Sequence, residues 1–309
     1  MLKSVFFGSP EFAATILEKL SSYSKPICVV TPPLKAKGRG QIVEKNPVQL
    51  MAESKNIAVL NTDNINTPEF IEKLKALDAD LFLVVAFGQL FKANVLALPK
   101  IACLNVHASL LPRWRGAAPI QYSLLNGDSK TGVSIQKMVL KLDAGDVLHS
   151  KEMPLKGSET TETLTQALSM LGGEALVEAI QKIESKKYSF TPQKESEVTF
   201  SPKIQKEDAK LDFNLPAIKL EQKIRALQPW PVAYGLFGKE KFKIYKAIVE
   251  QSQGDVGKIT TDHKTYLKIQ CGEGVLSLKE IQLENKKRLN IIDFLNAYRG
   301  NFPYTRVEL

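Results

Sequence analysis

The chain has 309 residues, of which 44% are hydrophobic and 24% charged, and carries a formal net charge of +9. This is the composition of a globular protein long enough for two domains, each burying its own core. No apolar run approaches the length needed to span a bilayer, which excludes an integral membrane helix.

The lysine-rich excess of positive charge points to a polyanionic partner such as nucleic acid. Cys28, Cys103 and Cys271 lie far apart, without metal-ligand spacing, and their odd number argues against a disulfide framework. Buried thiols in a reducing cytoplasm are the expectation. The opening MLKSVFFGSPEF turns too early for a signal peptide and reads as an immediate first strand.

Along the first half, strand and helix alternate. Ser4 to Phe7 reads as a strand, and Gly8-Ser9-Pro10 turns it into a helix to about Leu20. Pro26 to Val30 is a second strand, followed by a polar, breaker-rich loop from Thr31 to Gln41. A helix over Pro47 to Lys55, a strand over Ala58 to Leu60 and a helix over Thr67 to Leu77 come next. Asp80 to Ala86 is the continuous apolar run of a parallel strand covered on both faces. A strand ending at His107, a helix over Pro119 to Leu125 and a strand over Gly132 to Met138 complete the alternation. The order implies an α/β fold with a doubly wound, mostly parallel sheet and a site at the carboxyl ends of its strands. Gly8-Ser9-Pro10-Glu11 is not a G-x-G-x-x-G fingerprint, so dinucleotide binding has little support.

Thr160 to Ser185 reads as a long helix, broken or softened at Gly172-Gly173. The pattern then changes. Residues 191–206, polar and containing Pro192 and Pro202, read as a linker between a first domain over 1–190 and a second over 207–309. A helix near Leu215 to Leu227 opens the second domain. Short strands follow at Ala233–Leu236, Lys241–Val249, Gly257–Thr260, Tyr266–Ile269 and Gly274–Gln282, suggesting a small antiparallel barrel.

Chemistry concentrates in Ile101 to Pro119, IACLNVHASLLPRWRGAAP. Residues two apart on a strand share a face, so Asn105 and His107 emerge side by side where the strand ends. Ser109 to Pro112 turns the chain, and Arg113, Trp114, Arg115 and Gly116 fall on an expected exposed loop. Further on, Leu142-Asp143-Ala144-Gly145-Asp146 offers a carboxylate on a glycine-containing turn. Asn, His and Asp at strand ends form an acyl-transfer constellation without a covalent nucleophile. Asp143 is favoured over Asp146 for chemistry, and Asp146 for shaping the turn. The three histidines, His107, His149 and His263, are scattered, and no metal is expected.

With Asn105-Val106-His107, Ser109-Leu110-Leu111-Pro112, RWRGAAP and Leu142-Asp143-Ala144-Gly145-Asp146, the chain resembles the formyltransferases that use 10-formyltetrahydrofolate. Within them it is most similar to the methionyl-tRNA formyltransferase family, through the opening FFGSPEFA, the Lys37-Gly38-Arg39-Gly40 loop and Pro229-Trp230-Pro231. The resemblance implies a Rossmann-like catalytic domain followed by an OB-like barrel that helps hold tRNA. It implies Asn105, His107 and Asp143 for catalysis, with Asn105 donating to the oxyanion and His107 either donating to it or shuttling protons. Ser109, Leu110, Leu111 and Pro112 match the folate-binding segment. Phe87, Gly88, Gln89 and Leu90, at another strand end, are expected to wall that pocket. Arg39, with Lys37, falls on the loop that approaches the tRNA acceptor end, and Lys241 and Lys243 are expected on the barrel's phosphate-facing surface. Trp114 either packs under its loop or touches substrate.

The implied reaction is a direct transfer from 10-formyltetrahydrofolate, as co-substrate, to the α-amino group of initiator methionyl-tRNA. The protein is expected to be monomeric, cytoplasmic and free of membrane. Two alternatives remain open: a formyltransferase acting on an amino sugar nucleotide, and a non-catalytic RNA-binding protein on the same scaffold. A glycinamide ribonucleotide formyltransferase is disfavoured by the added second domain.

Overall fold

A computed structural model of the chain describes residues 2–33, 35–37, 42–299 and 301–309. Two compact units divide it: 1–119 with 130–154 and 165–201, and 120–129 with 155–164 and 202–309.

The first unit opens with β1 (Ser4–Gly8), α1 (Glu11–Tyr23), β2 (Cys28–Thr31) and a hairpin of β3 (Lys35–Lys37) and β4 (Ile42–Glu44). It continues through α2 (Pro47–Ser54), β5 (Ala58–Asn61), α3 (Pro68–Ala76), β6 (Leu81–Val85), α4 (Ala93–Leu96) and β7 (Ala102–His107). The short β8 (Arg115–Gly116), β9 (Lys130–Lys137) and β10 (Val147–Pro154) follow in this unit, with most of α6 (Thr161–Glu184), whereas α5 (Pro119–Asn126) past its first residue and the first turn of α6 fall in the second. Local chemistry sets several of these boundaries. Asn46 and Thr67 cap α2 and α3 through their side-chain oxygens, each with a proline at the first helical position.

Seven strands form one sheet in the order β10-β9-β7-β6-β1-β2-β5. The five from β7 to β5 are parallel; β9 and β10 run antiparallel to their neighbours. The expected doubly wound, mostly parallel sheet is therefore present. Its β1 and β6 are buried along their whole length, which explains the apolar runs Val5 to Phe7 and Leu81 to Val85. Phe7 meets the rings of Phe82, Phe87 and Phe91 at 5.0, 5.6 and 5.2 Å, a core under the strand ends.

The strand β11 (Phe200–Ser201) closes the first unit, and the long C-terminal part of the second opens its regular helix and sheet with α7 (Ala217–Ala226). Then come β12 (Tyr234–Phe237), β13 (Glu240–Glu250), β14 (Ile259–Thr261), β15 (Leu267–Gln270), β16 (Val275–Leu283), β17 (Leu289–Asn290) and α8 (Ile291–Asn296). The antiparallel order is β12-β13-β16-β15-β14, with β17 on β16. The C-terminal segment spans the gap between the outer strands: Thr305 and Val307 bond to Ile259 and Gly257, and the Glu308 amide donates to Leu236. This curled sheet matches the expected OB-like barrel. No helix among the described residues is long and apolar enough to cross a membrane.

One local expectation is corrected. The α6 helix runs unbroken through Gly172-Gly173. A Cβ on Gly172 would lie 3.0 Å from Ile16 and 3.3 Å from Val106, and one on Gly173 2.7 Å from Lys19. The two glycines lower helix propensity but let α6 approach α1 and β7 closely, and that packing decides.

Candidate active site

The sheet's strand order reverses between β1 and β6, and α/β sites form outside the carboxyl ends of the strands at such a point. His107 is the last residue of β7, which pairs with β6 on one side and β9 on the other. On β9, Gln136 lies opposite Asn105 and Ser134 opposite His107. Directly paired residues face the same way, so Asn105, His107, Ser134 and Gln136 form one polar patch on a buried sheet. The Asn105 side chain has no hydrogen-bond partner among the described residues and is half-buried, leaving its amide free to donate.

His107, 5% exposed, is held at both ring nitrogens. Its Nε2 donates to the Trp114 carbonyl at 2.9 Å; a carbonyl only accepts, so Nε2 carries the hydrogen. Nδ1 faces Asp143 Oδ1 at 3.6 Å, ion-pair rather than hydrogen-bond distance. Asp143 sits on the β9–β10 loop at φ +50°, in the left-handed region. Its Oδ2 accepts from the Gly116 amide at 2.9 Å and its Oδ1 from Gln136 Nε2 at 2.8 Å. Gly145, two residues later, must lack a side chain, because a Cβ there would collide with the Lys137 carbonyl.

The turn after His107 is stapled from inside. Ser109 Oγ donates to the Arg113 carbonyl at 2.6 Å. Ser134 Oγ donates to the Ser109 carbonyl at 2.8 Å and accepts from the Leu111 amide at 3.0 Å. These bonds fix the backbone of Ser109, Leu110, Leu111 and Pro112 beside the Asn105–His107 patch.

Arg115 departs from the expected exposed loop. It is 1% exposed and is among the largest fully buried side chains. Its Nε donates to Gln193 Oε1 at 3.0 Å and its Nη2 to Glu195 Oε1 at 2.9 Å, while Nη1 has no partner. The guanidinium beside Glu195 holds that carboxyl below the usual carboxylate range. The reason for its burial is the stretch 191–201, which lies along both site loops. Within it β11 pairs in parallel with β8, Thr199 Oγ1 accepts from the Trp114 amide, and Ser201 Oγ donates to the Trp114 carbonyl. Sequence patterning gives no sign of Arg115's burial or of the part played by Gln193, Thr199 and Ser201, because a two-residue long-range pairing leaves no periodic signal.

The other expected residues divide as follows. Phe87 is buried against Phe7 and Phe91, Gly88 has φ +79°, and Leu90 is 80% exposed. Gln89 donates to the Thr62 carbonyl at 3.0 Å and accepts from the Ile65 amide at 3.0 Å, bracing the loop after β5. Arg39 lies outside the described residues, and Lys37 ends β3. In the second unit Lys241 and Lys243 share a face of β13 and line a cleft of about 380 Å³ with Gln282, Leu283, Glu284 and Asn285. The Lys241 ammonium stands 3.7 Å from the Tyr234 ring centroid. Among the described residues, no group of three His, Cys, Asp or Glu could hold a metal ion.

Known proteins match this arrangement along the whole chain. Residues 2–180 match the formyl transferase family, and residues 203–299 the formyl transferase C-terminal domain. In fold, the chain resembles the N-formyltransferase of Helicobacter canadensis solved with folinic acid and dTDP-3-aminofucose. That likeness has TM-score 0.67 at 17% identity and covers 92% of this chain and all of the other. Methionyl-tRNA formyltransferase from Geotalea uraniireducens is 36% identical over 96% of each chain. That from Stutzerimonas stutzeri is 39% identical over 97% of this chain and 96% of its own. With both units matched and the identity sustained from end to end, the chain belongs to the methionyl-tRNA formyltransferase family.

Proposed function

We propose that the protein transfers the formyl group of 10-formyltetrahydrofolate to the α-amino group of methionine on initiator methionyl-tRNA. One observation carries the choice of acceptor: identity of 36–39% to methionyl-tRNA formyltransferases that extends through the second, lysine-bearing unit. In this reading, residues 1–190 perform the chemistry, 191–206 lead to the second domain while their first part braces the site loops, and 207–309 contact tRNA.

The chemistry follows from the polar patch. The neutral amine attacks the formyl carbon, forming a C–N bond and a tetrahedral oxyanion. The uncommitted Asn105 amide donates to that oxygen, a form of stabilisation worth about 3–4 kcal/mol where measured elsewhere. In neutral His107 the hydrogen is on Nε2, so Nδ1 has a lone pair that takes the amine's proton. Asp143 stabilises the resulting imidazolium. The proton is then returned to the folate N10 as its bond to the formyl carbon breaks, giving tetrahydrofolate and the formylated amine. Bringing both substrates together supplies much of the rate, with no covalent enzyme intermediate.

Ser109 to Pro112 and Phe87 to Leu90 flank the patch in this reading and form the folate site. The buried Phe87 supports that wall from beneath, and the exposed Leu90 offers an apolar contact. Lys37, Arg39, Lys241 and Lys243 serve the tRNA, and the protein acts as a monomer in the cytoplasm.

The test mixes purified protein with 10-formyltetrahydrofolate and methionine-charged initiator tRNA and looks for formylmethionine on the tRNA. Uncharged tRNA and an amino sugar nucleotide run in parallel. Transfer to charged tRNA alone is expected; transfer to the sugar alone overturns the acceptor, and tRNA binding without any transfer overturns the reaction.

A further inference from the structure

Gln136 stands directly across from Asn105 on β9 and is 2% exposed, the last residue of a run that is buried from Thr131 to Gln136. A buried amide needs a reason, since each polar atom left unpaired there costs free energy. Its two ends have different fates. Nε2 donates to Asp143 Oδ1 at 2.8 Å, the same oxygen that faces His107 Nδ1 at 3.6 Å. Oε1 is buried and has no partner.

We propose that Gln136 is a positioning residue for formyl transfer, holding Asp143 Oδ1 off His107 so that the imidazole can both take up and release a proton. This inference rests on the reaction proposed above. The carboxylate has two oxygens and two fixed donors: the Gly116 amide takes Oδ2 and Gln136 takes Oδ1. A carboxylate so anchored cannot swing the last half-ångström or so to hydrogen-bond distance from Nδ1. It is near enough to stabilise an imidazolium during the reaction. It is too far to trap one afterwards through a short charge-assisted hydrogen bond. Two nearby cations are directed elsewhere: the Arg115 guanidinium is turned to Gln193 and Glu195, and the Lys137 ammonium lies over the Phe190 ring.

The orphaned Oε1 fits the same role. Asn105 lies opposite on the paired strand, and its amide is likewise uncommitted among the described residues. Gln136 therefore tolerates an unpaired acceptor in order to aim its donor at Asp143. Sequence patterning gives no warning of this, because a Gln in a buried strand reads as an ordinary satisfied polar residue.

Two variants test the assignment. Gln136→Met keeps the side-chain length without polar atoms, and Gln136→Leu removes the donor to Asp143 with a branched apolar side chain. Both are expected to lose about tenfold to a hundredfold in kcat, as small misplacements in an active site do. KM for either substrate should stay within about threefold, the pattern of a group acting only on the transition state. The second readout is proton NMR of the free protein. Wild type should lack a strongly downfield imidazole proton, and Gln136→Met should gain one that disappears on adding His107→Gln. Wild-type kcat in both variants, or an unchanged downfield region in a folded Gln136→Met protein, overturns the proposal. Should the wild-type protein transfer no formyl group to any acceptor, the reaction reading fails by itself. The NMR comparison would still decide whether Gln136 keeps the two groups apart.

Discussion

The Gln193 side-chain nitrogen donates to the main-chain oxygen of Asp143 at 2.9 Å, and it also reaches Gly145 at 2.6 Å. Because Gln193 Oε1 accepts from Arg115, the turn that carries Asp143 is tied to the loop that carries Trp114, the partner of His107. The two ends of the His107–Asp143 pair are thus registered by one amide from a stretch that reads in sequence as a connector. Asp143 is held at positive φ, a conformation that costs free energy in a non-glycine residue and needs such bracing.

Replacing this amide tests the brace. Gln193→Leu leaves the Asp143 and Gly145 carbonyls and the Arg115 Nε–H without their partner. Each buried group left unsatisfied costs about 1–3 kcal/mol. We expect a lower denaturation midpoint together with a fall in kcat, measured by urea unfolding and formyl transfer on the same preparation. Normal turnover in a destabilised variant would mean that the tie serves only the fold.

Glu195 gives the same brace a pH signature. Its carboxyl is held below its usual value chiefly by the hydrogen bond from Arg115, and further by Lys141. A lowered folded-state pKa contributes stability that is fully present above the unfolded value, near 4.3, and is lost as pH falls through the folded one. The Glu195→Gln protein should therefore be less stable than wild type at neutral pH, and the two should converge in acid. Glu195 is solvent-exposed, so the difference should also shrink at high salt. Parallel unfolding curves with a constant offset at every pH would remove Glu195's ionisation from the account.

Asn105→Ala and His107→Ala separate chemistry from binding. Loss of one oxyanion donor lowers kcat by about 10²–10³, and loss of a positioned proton carrier by about 10²–10⁴. Neither residue is among the basic side chains assigned to the tRNA, so tRNA affinity should stay within a few-fold of wild type, measured by filter binding beside turnover. Full activity in either variant would remove that residue from the mechanism.

Much of this architecture is legible in the chain. Asn105 and His107 are two apart on an apolar strand, a spacing that sets them on one face whatever the surrounding fold. Continuous apolar runs such as Leu81 to Val85 mark strands covered on both sides. What escapes is non-local. Arg115 looks like a loop cation, and only the strand pairing of Phe200–Ser201 with Arg115–Gly116 explains why it is buried. Gly172-Gly173 looks like a helix break, and only the nearness of Ile16 and Lys19 explains why it is not. Gln136 gives no signal until the register of β9 against β7 is known. Each miss is a residue whose environment is built by chain far away in sequence, where propensity and periodicity carry no information.

The lysine face of β13 supplies the remaining prediction. Lys241 and Lys243 alternate onto one side of the strand, and neither makes an ion pair among the described residues. Lys243 pairs across the sheet with Tyr234 and Gln282, and the Lys241 ammonium stands over the Tyr234 ring. If each contacts one tRNA phosphate, its removal releases one fewer set of counterions on binding. The slope of log affinity against log salt should then fall by about 0.7–0.9 per lysine. Lys241→Ala and Lys243→Ala should weaken methionyl-tRNA binding singly and additively, raising KM for tRNA while kcat at saturation holds. An unchanged salt slope in the double variant would move the tRNA interface off this face of the barrel.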